Sequence, residues 1–174
     1  MKRVTGNLAI AKSVLANHPS VDMHSHLGLW EAKGLAEGSF ATEIASYPGD
    51  AKLKQNILDN IAAGLKCSYL GLPVDLPLIK LGAPGNKARD FRADEAWQEY
   101  LRQMSLLRNM LDTLPLAIAG NSEDISRIAL MGKQAIFFFF FFGQMVEQDL
   151  GRLKMLHQEG PTKFAPAHYL DNAF

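Results

Sequence analysis

Ser20-Val21-Asp22-Met23-His24-Ser25-His26-Leu27 follows a turn signal at Asn17-His18-Pro19 and is short. Alternation reads it as a strand. Asp22, His24 and His26 then share one face, and Val21, Met23, Ser25 and Leu27 the other. On its N-terminal side, Val4, Leu8, Ala11 and Leu15 recur at helical spacing, which predicts one apolar stripe of a helix within the lead-in 1–19. On its C-terminal side, residues 31–49 carry three Gly and one Pro and read as a loop.

Helix and strand signals then alternate to the end of the chain. Asp50 caps a helix carrying Leu53, Ile57, Ile61 and Leu65. Cys67 to Val74 reads as a second strand, and residues 75–90 as a loop punctuated by Pro and Gly. Ala93 to Leu114 is the clearest helix, with Trp97, Leu101, Met104, Leu107 and Leu111 on one stripe and Pro115 ending it. Asn121-Ser122-Glu123-Asp124 caps a helix with Ile125, Ile128 and Leu130 as its apolar positions, and Gly132 stops it. Lys133 to Phe142 is a third strand, Met145 to Glu159 a helix with Val146, Leu150, Leu153 and Leu156, and Lys163 to Leu170 the last strand. Strands alternating with helices predict an α/β fold with a parallel sheet. No repeat and no linker divides the chain, so residues 1–174 are expected to be one domain.

The chain has 174 residues. A complete (β/α)8 barrel usually needs about 250 residues and rarely fewer than about 200. Lys plus Arg number 18 against 18 Asp plus Glu, a balance that argues against a nucleic-acid or anionic-membrane binder. The one cysteine, Cys67, allows no disulfide within the chain and reads as a small buried hydrophobe. The longest apolar run, Ala135 to Phe142, falls well short of the ~20 residues of a transmembrane helix. Lys2 and Arg3 open the chain, but Asn7 and Lys12 interrupt any signal-peptide core, so no export signal is expected and the default location is cytoplasmic.

Six consecutive phenylalanines, Phe137 to Phe142, lie within the third strand. A strand buried on both faces reads as a continuous apolar run. Six identical rings nevertheless pack poorly in a core that normally alternates large and small residues. A buried or altered strand is favoured here over an exposed aromatic platform for bases or sugars.

His24-Ser25-His26 carries the chemistry. Two imidazoles two residues apart on a strand project to one side. They can share a metal at Zn–N distances near 2.0–2.1 Å, as a hydrolytic ion needs when it keeps an open position for water. The pair falls at the C-terminal end of the first strand, the face where barrels place their active sites. Asp22 would orient a ligand from behind or make a structural hydrogen bond. His157, in the last turn of its helix, suits the dipole there, as Glu147 and Asp149 suit a first turn. His18 reads as a turn residue, and Trp97 and Met104 as core.

Val21 to Leu27 resembles the first strand of the metal-dependent amidohydrolase superfamily, an opening shared by TatD-type nucleases and by the polymerase-and-histidinol-phosphatase type. Three later stretches narrow the resemblance to the membrane (renal) dipeptidase family: Asn121-Ser122-Glu123-Asp124-Ile125 with Gly132-Lys133-Gln134-Ala135-Ile136; Gly143-Gln144 with Asp149-Leu150-Gly151-Arg152-Leu153; and Gly160 through Ala167-His168-Tyr169-Leu170-Asp171-Asn172. The resemblance runs from about residue 14 to the C-terminus.

It implies a partial (β/α)8 TIM-type barrel, roughly the first four βα units, of a hydrolase that uses two divalent metals, usually zinc. It implies cleavage of a dipeptide by metal-activated water, with His24 and His26 as ligands of one metal and His168 as a substrate-binding residue. The family pattern has Asp where this chain has His26. The Glu that bridges the two metals aligns with Phe141, and a Gly of the following turn with Phe142. Further ligands lie on strands beyond Phe174. The resemblance thus implies a chain that is weakly active or inactive alone, and that either self-associates through open half-barrel edges or stays a compact, catalytically poor half-barrel. Two other readings remain: a TatD-like nuclease or phosphoesterase, and a non-catalytic half-barrel assembly module.

Overall fold

The computed structural model describes residues 2–18, 20–25, 50–75, 78–79, 87–141 and 143–167. In chain order the elements are α1 (Lys2–Asn17), β1 (Val21–Ser25), α2 (Asp50–Ala63), β2 (Cys67–Pro73), α3 (Glu95–Thr113), β3 (Leu116–Ile118), α4 (Ser122–Leu130), β4 (Gln134–Phe141), α5 (Gly151–Gln158) and β5 (Pro161–Ala165). A short 3-10 turn, Gly143–Met145, follows β4.

All strand pairs are parallel. β4 is the hub. One edge pairs with β2 along its whole length, and β2 pairs onward with β1. The other edge is shared: β3 takes Gln134–Ile136 and β5 takes Phe138–Phe141. This is a half-barrel with alternating helices, the partial TIM-type architecture expected from the sequence.

Period-two alternation divides the phenylalanine run between the faces of the sheet. Phe138 and Phe140, fully buried with Ile136, Leu70 and Leu72, join Ile57 of α2, Tyr100, Met104 and Leu107 of α3 and Leu156 of α5 in the main core. The Tyr100 ring meets Phe140 edge-on at 5.2 Å. Phe137 stands on the opposite face, where Ala119 and α4 (Ile125, Ile128) form a second cluster with Cys67 and Ala135. Trp97 and Met104 are core residues.

Four differences from the sequence expectation have local causes. β3 is a strand that the periodicity did not reveal, since three residues between Pro115 and Ala119 are too few to show alternation. α5 begins at Gly151 rather than at Met145, because Glu147 adopts a left-handed φ of 50° and the Asp149 carboxylate accepts the Gly151 N–H at 2.9 Å. Glu147 and Asp149 therefore precede the helix instead of sitting in its first turn; His157 is in its last turn. β5 starts at Pro161, before the expected Lys163, and ends at Ala165, short of the expected Leu170; Pro166 and Ala167 have already left the strand, and residues 168–170 lie outside the described residues. Finally, β1 carries a bulge. Asp22 pairs with Ser68 and Ser25 with Leu70, so Met23 and His24 together oppose Tyr69. The predicted sharing of one face by Asp22 and His24 is lost there.

Candidate active site

Because the strands are parallel, their C-terminal ends gather at one end of the sheet. His24 lies near the end of β1, and the bulge turns it toward the concave face. Its ring meets Phe141 at 5.4 Å between centroids and Phe139 at 6.1 Å. Asp22 does not stand behind that imidazole. Its carboxylate accepts the His24 backbone N–H at 3.0 Å and so holds the bulge.

The rest of this face is aromatic. Tyr69 stacks on Phe137 at 5.1 Å, and the Phe139 and Phe141 rings lie 4.0 Å apart. Lys163, brought in by its pairing with Phe139, sets its ammonium 4.0 Å above the Tyr69 ring and 5.9 Å from that of Phe139. A cation over aromatic faces is favourable by roughly 0.5–2 kcal/mol. The sequence reading missed both Tyr69 and Lys163. Their signal was present in the period-two register of the second and last strands.

Nearer the N-terminal ends, a cavity of about 330 Å³ lies between Val21 and Met23 of β1, Tyr69, Phe137, Ile125 and the loop Gly120-Asn121-Ser122. Met23 is 54% exposed. Burial in the adjoining cluster pushes the Cys67 thiol up to about 11, which leaves it protonated and unreactive at neutral pH.

Loops beyond the strand ends are pinned by Arg152. Its guanidinium pairs with Asp94, reaches Glu147 at 3.4 Å, donates to the Met145 carbonyl at 3.1 Å and lies 5.1 Å from the centre of the Trp97 ring. Asp94 and Glu147 both have left-handed backbones, and the Asp94 N–H donates to Glu147 at 3.1 Å. One side chain thus ties the approach to α3 to the loop after β4.

A catalytic zinc needs three protein ligands and an open position. Among the described residues no group of three or more His, Cys, Asp or Glu side chains converges. His24 is bordered by two phenyl rings, which have no lone pair to offer. The described part of the site does not fit a metal. His26 and His168 lie outside the described residues.

No family model and no curated protein matches the sequence. Solved structures do. The fold is that of part of a dipeptidase barrel. The probable dipeptidase PvdM from Pseudomonas aeruginosa matches over 95% of this chain and 38% of its own, at 19% identity and a TM-score of 0.64. Dipeptidase AC, a metallopeptidase of family M19, matches over 90% and 44% at 18% identity and a TM-score of 0.63. A metallopeptidase from Rhodobacter sphaeroides, solved with a phosphinate mimic of the dipeptide L-Ala-D-Ala, matches over 90% and 47% at 14% identity and a TM-score of 0.60. The chain therefore spans less than half the length of each of these proteins. No helix among the described residues is long and apolar enough to cross a membrane.

Proposed function

We propose that this chain is the first-strand half of a dipeptidase-like metallohydrolase, with dipeptides or similar small amides as its substrate class. The observation that carries the reading is the position of His24, a metal-ligand type at the C-terminal end of β1, in a half-barrel whose fold matches dipeptidases along nearly its whole length. His26 as a second ligand on the same strand and His168 as a substrate contact belong to this proposal. The chain supplies the concave wall and the first-strand histidines. The residues described here do not assemble a metal site, so the chain by itself turns over slowly.

The test supplies zinc or cobalt in large excess to compensate for weak binding. It compares a dipeptide series, L-Ala-D-Ala included, with a phosphodiester. Slow, chelator-sensitive dipeptide cleavage that disappears in His24→Ala is expected. Cleavage of the phosphodiester instead moves the chain to the nuclease or phosphoesterase class. Absence of any dipeptide cleavage moves it to the non-catalytic assembly module.

A further inference from the structure

We infer that Lys163 is a carboxylate-binding residue of the concave face, and that it takes the C-terminal carboxylate of a dipeptide lying over the Phe139 ring. The inference rests on the dipeptidase-like reading and deepens it, by giving one group of the substrate a partner on β5. Lys163 pairs with Phe139 of β4, whereas Tyr69 stands on β2, on the far side of β4. Strands two apart are separated by about 9–10 Å. The Lys163 stem therefore crosses β4 to set its ammonium 4.0 Å from the centre of the Tyr69 ring and 5.9 Å from that of Phe139. A lysine usually carries its charged head out to water. This one lays it along the aromatic floor of the face.

The surroundings of that ammonium suit a small ligand bearing a carboxylate. An ammonium has three donors and no acceptor, and ring faces attract its charge without replacing strong acceptors. Among the described residues Lys163 makes no ion pair, whereas Arg89, Arg102, Arg127 and Arg152 each reach a carboxylate. Tyr69, Phe139 and Lys163 are half-buried, while Phe137 and Phe141 are buried, so this row is the part of the face that a ligand can touch. The Phe139 ring also lies 6.1 Å from the His24 imidazole, which sits toward the strand ends beside Phe141. The ammonium sits one step deeper, at the level where Tyr69 pairs with Phe137. A dipeptide over Phe139 fits that order, with its carboxylate at Lys163 and its peptide bond toward His24. Bonds from an ammonium to a carboxylate are about twice as strong as neutral ones, and an apolar floor strengthens them.

The test measures binding without added metal. L-Ala-D-Ala, its C-terminal amide and inorganic phosphate are titrated into the isotope-labelled unmodified chain and into Lys163→Met, Lys163→Gln and Lys163→Arg. NMR shifts give Kd, and circular dichroism checks folding. The unmodified chain should bind the dipeptide at least about tenfold more tightly than the amide, the discrimination expected of a hydrogen bond to a charged group. Lys163→Met should bind acid and amide alike, and Lys163→Arg should keep the preference. Lys163→Gln, a polar replacement, repeats the test if Lys163→Met disturbs the fold. Three outcomes overturn the inference: no dipeptide binding, or equal binding of acid and amide, by the unmodified chain; a preference that survives in folded Lys163→Met or Lys163→Gln; or phosphate binding that is tighter than dipeptide binding and lost in the same variants. The first two refute the role of Lys163 while leaving metal-dependent dipeptide cleavage intact. Phosphodiester cleavage in the substrate comparison would refute the dipeptidase-like reading, while the preference for acid over amide would stand.

Discussion

Gly71 has no side chain, and the Phe141 ring occupies the space. Gly71→Ala should therefore destabilise the fold by about 1–3 kcal/mol, the usual range for overpacking. Most of that loss should disappear in the Phe141→Leu background, where the obstructing ring is gone. Urea denaturation of the two single variants and the double variant measures the coupling; additive effects would show that the ring does not lie on Gly71. The place of His24 near the end of β1 was legible in the sequence, because the short alternating run after Pro19 marks a strand. The bulge that turns it from Asp22 was not. A bulge is set by pairing with β2, about 45 residues away in sequence, and no local pattern encodes it.

At the scale of single elements, α4 shows how much local chemistry dictates. The Asn121 side-chain oxygen accepts the N–H groups of Glu123 and Asp124, and the Asp124 carboxylate in turn accepts the Asn121 N–H. This is the capping box expected from Asn121-Ser122-Glu123-Asp124. Asn121→Ala should cost about 1 kcal/mol of stability, measured by urea denaturation, because it leaves two N–H groups without that acceptor. α3 begins with a different device. Arg89 makes paired hydrogen bonds to the Glu95 carboxylate at 2.6 and 2.7 Å, and the Arg92 N–H adds a third at 2.8 Å. The Arg89 bonds, helped by the Arg92 N–H and opposed by partial burial, lower the Glu95 carboxyl from 4.5 to about 2. A carboxyl depressed in the folded state contributes stability above its ordinary pKa. That contribution is lost as pH falls from about 4.5 toward 2. Denaturation across this window should show a smaller acid-dependent loss in Glu95→Gln than in the unmodified chain; equal slopes would contradict the pairing. Helix caps and stripes were readable because they are local. The late start of α5 was not, because it depends on a left-handed backbone at Glu147, a conformation that a non-glycine residue type does not announce.

For the whole molecule, length set the first bound and the topology gave it meaning. The parallel order β1-β2-β4, with β3 and β5 on the far edge, leaves a concave face that a complete barrel would enclose. Among the described residues β1 pairs only with β2, and Met23 on it is half exposed. An open strand edge beside apolar side chains favours association. Light scattering should show average mass rising with concentration, and Met23→Lys should weaken that rise. The alternation of strands and helices was visible in the sequence, and so was the incompleteness of the barrel. The contact between the His24 and Phe141 rings was only partly visible. The resemblance aligned a ligand position with Phe141, but the path of the ring over Gly71 required the fold. The central claim is that this half-barrel carries a dipeptidase-like site that is incomplete on its own. Its most direct measurement is the dipeptide cleavage rate, in excess zinc, of a sample whose mass is followed by light scattering. The account predicts slow cleavage abolished by His24→Ala; rapid cleavage by a dilute, stable monomer, or a rate unchanged by His24→Ala, would contradict it.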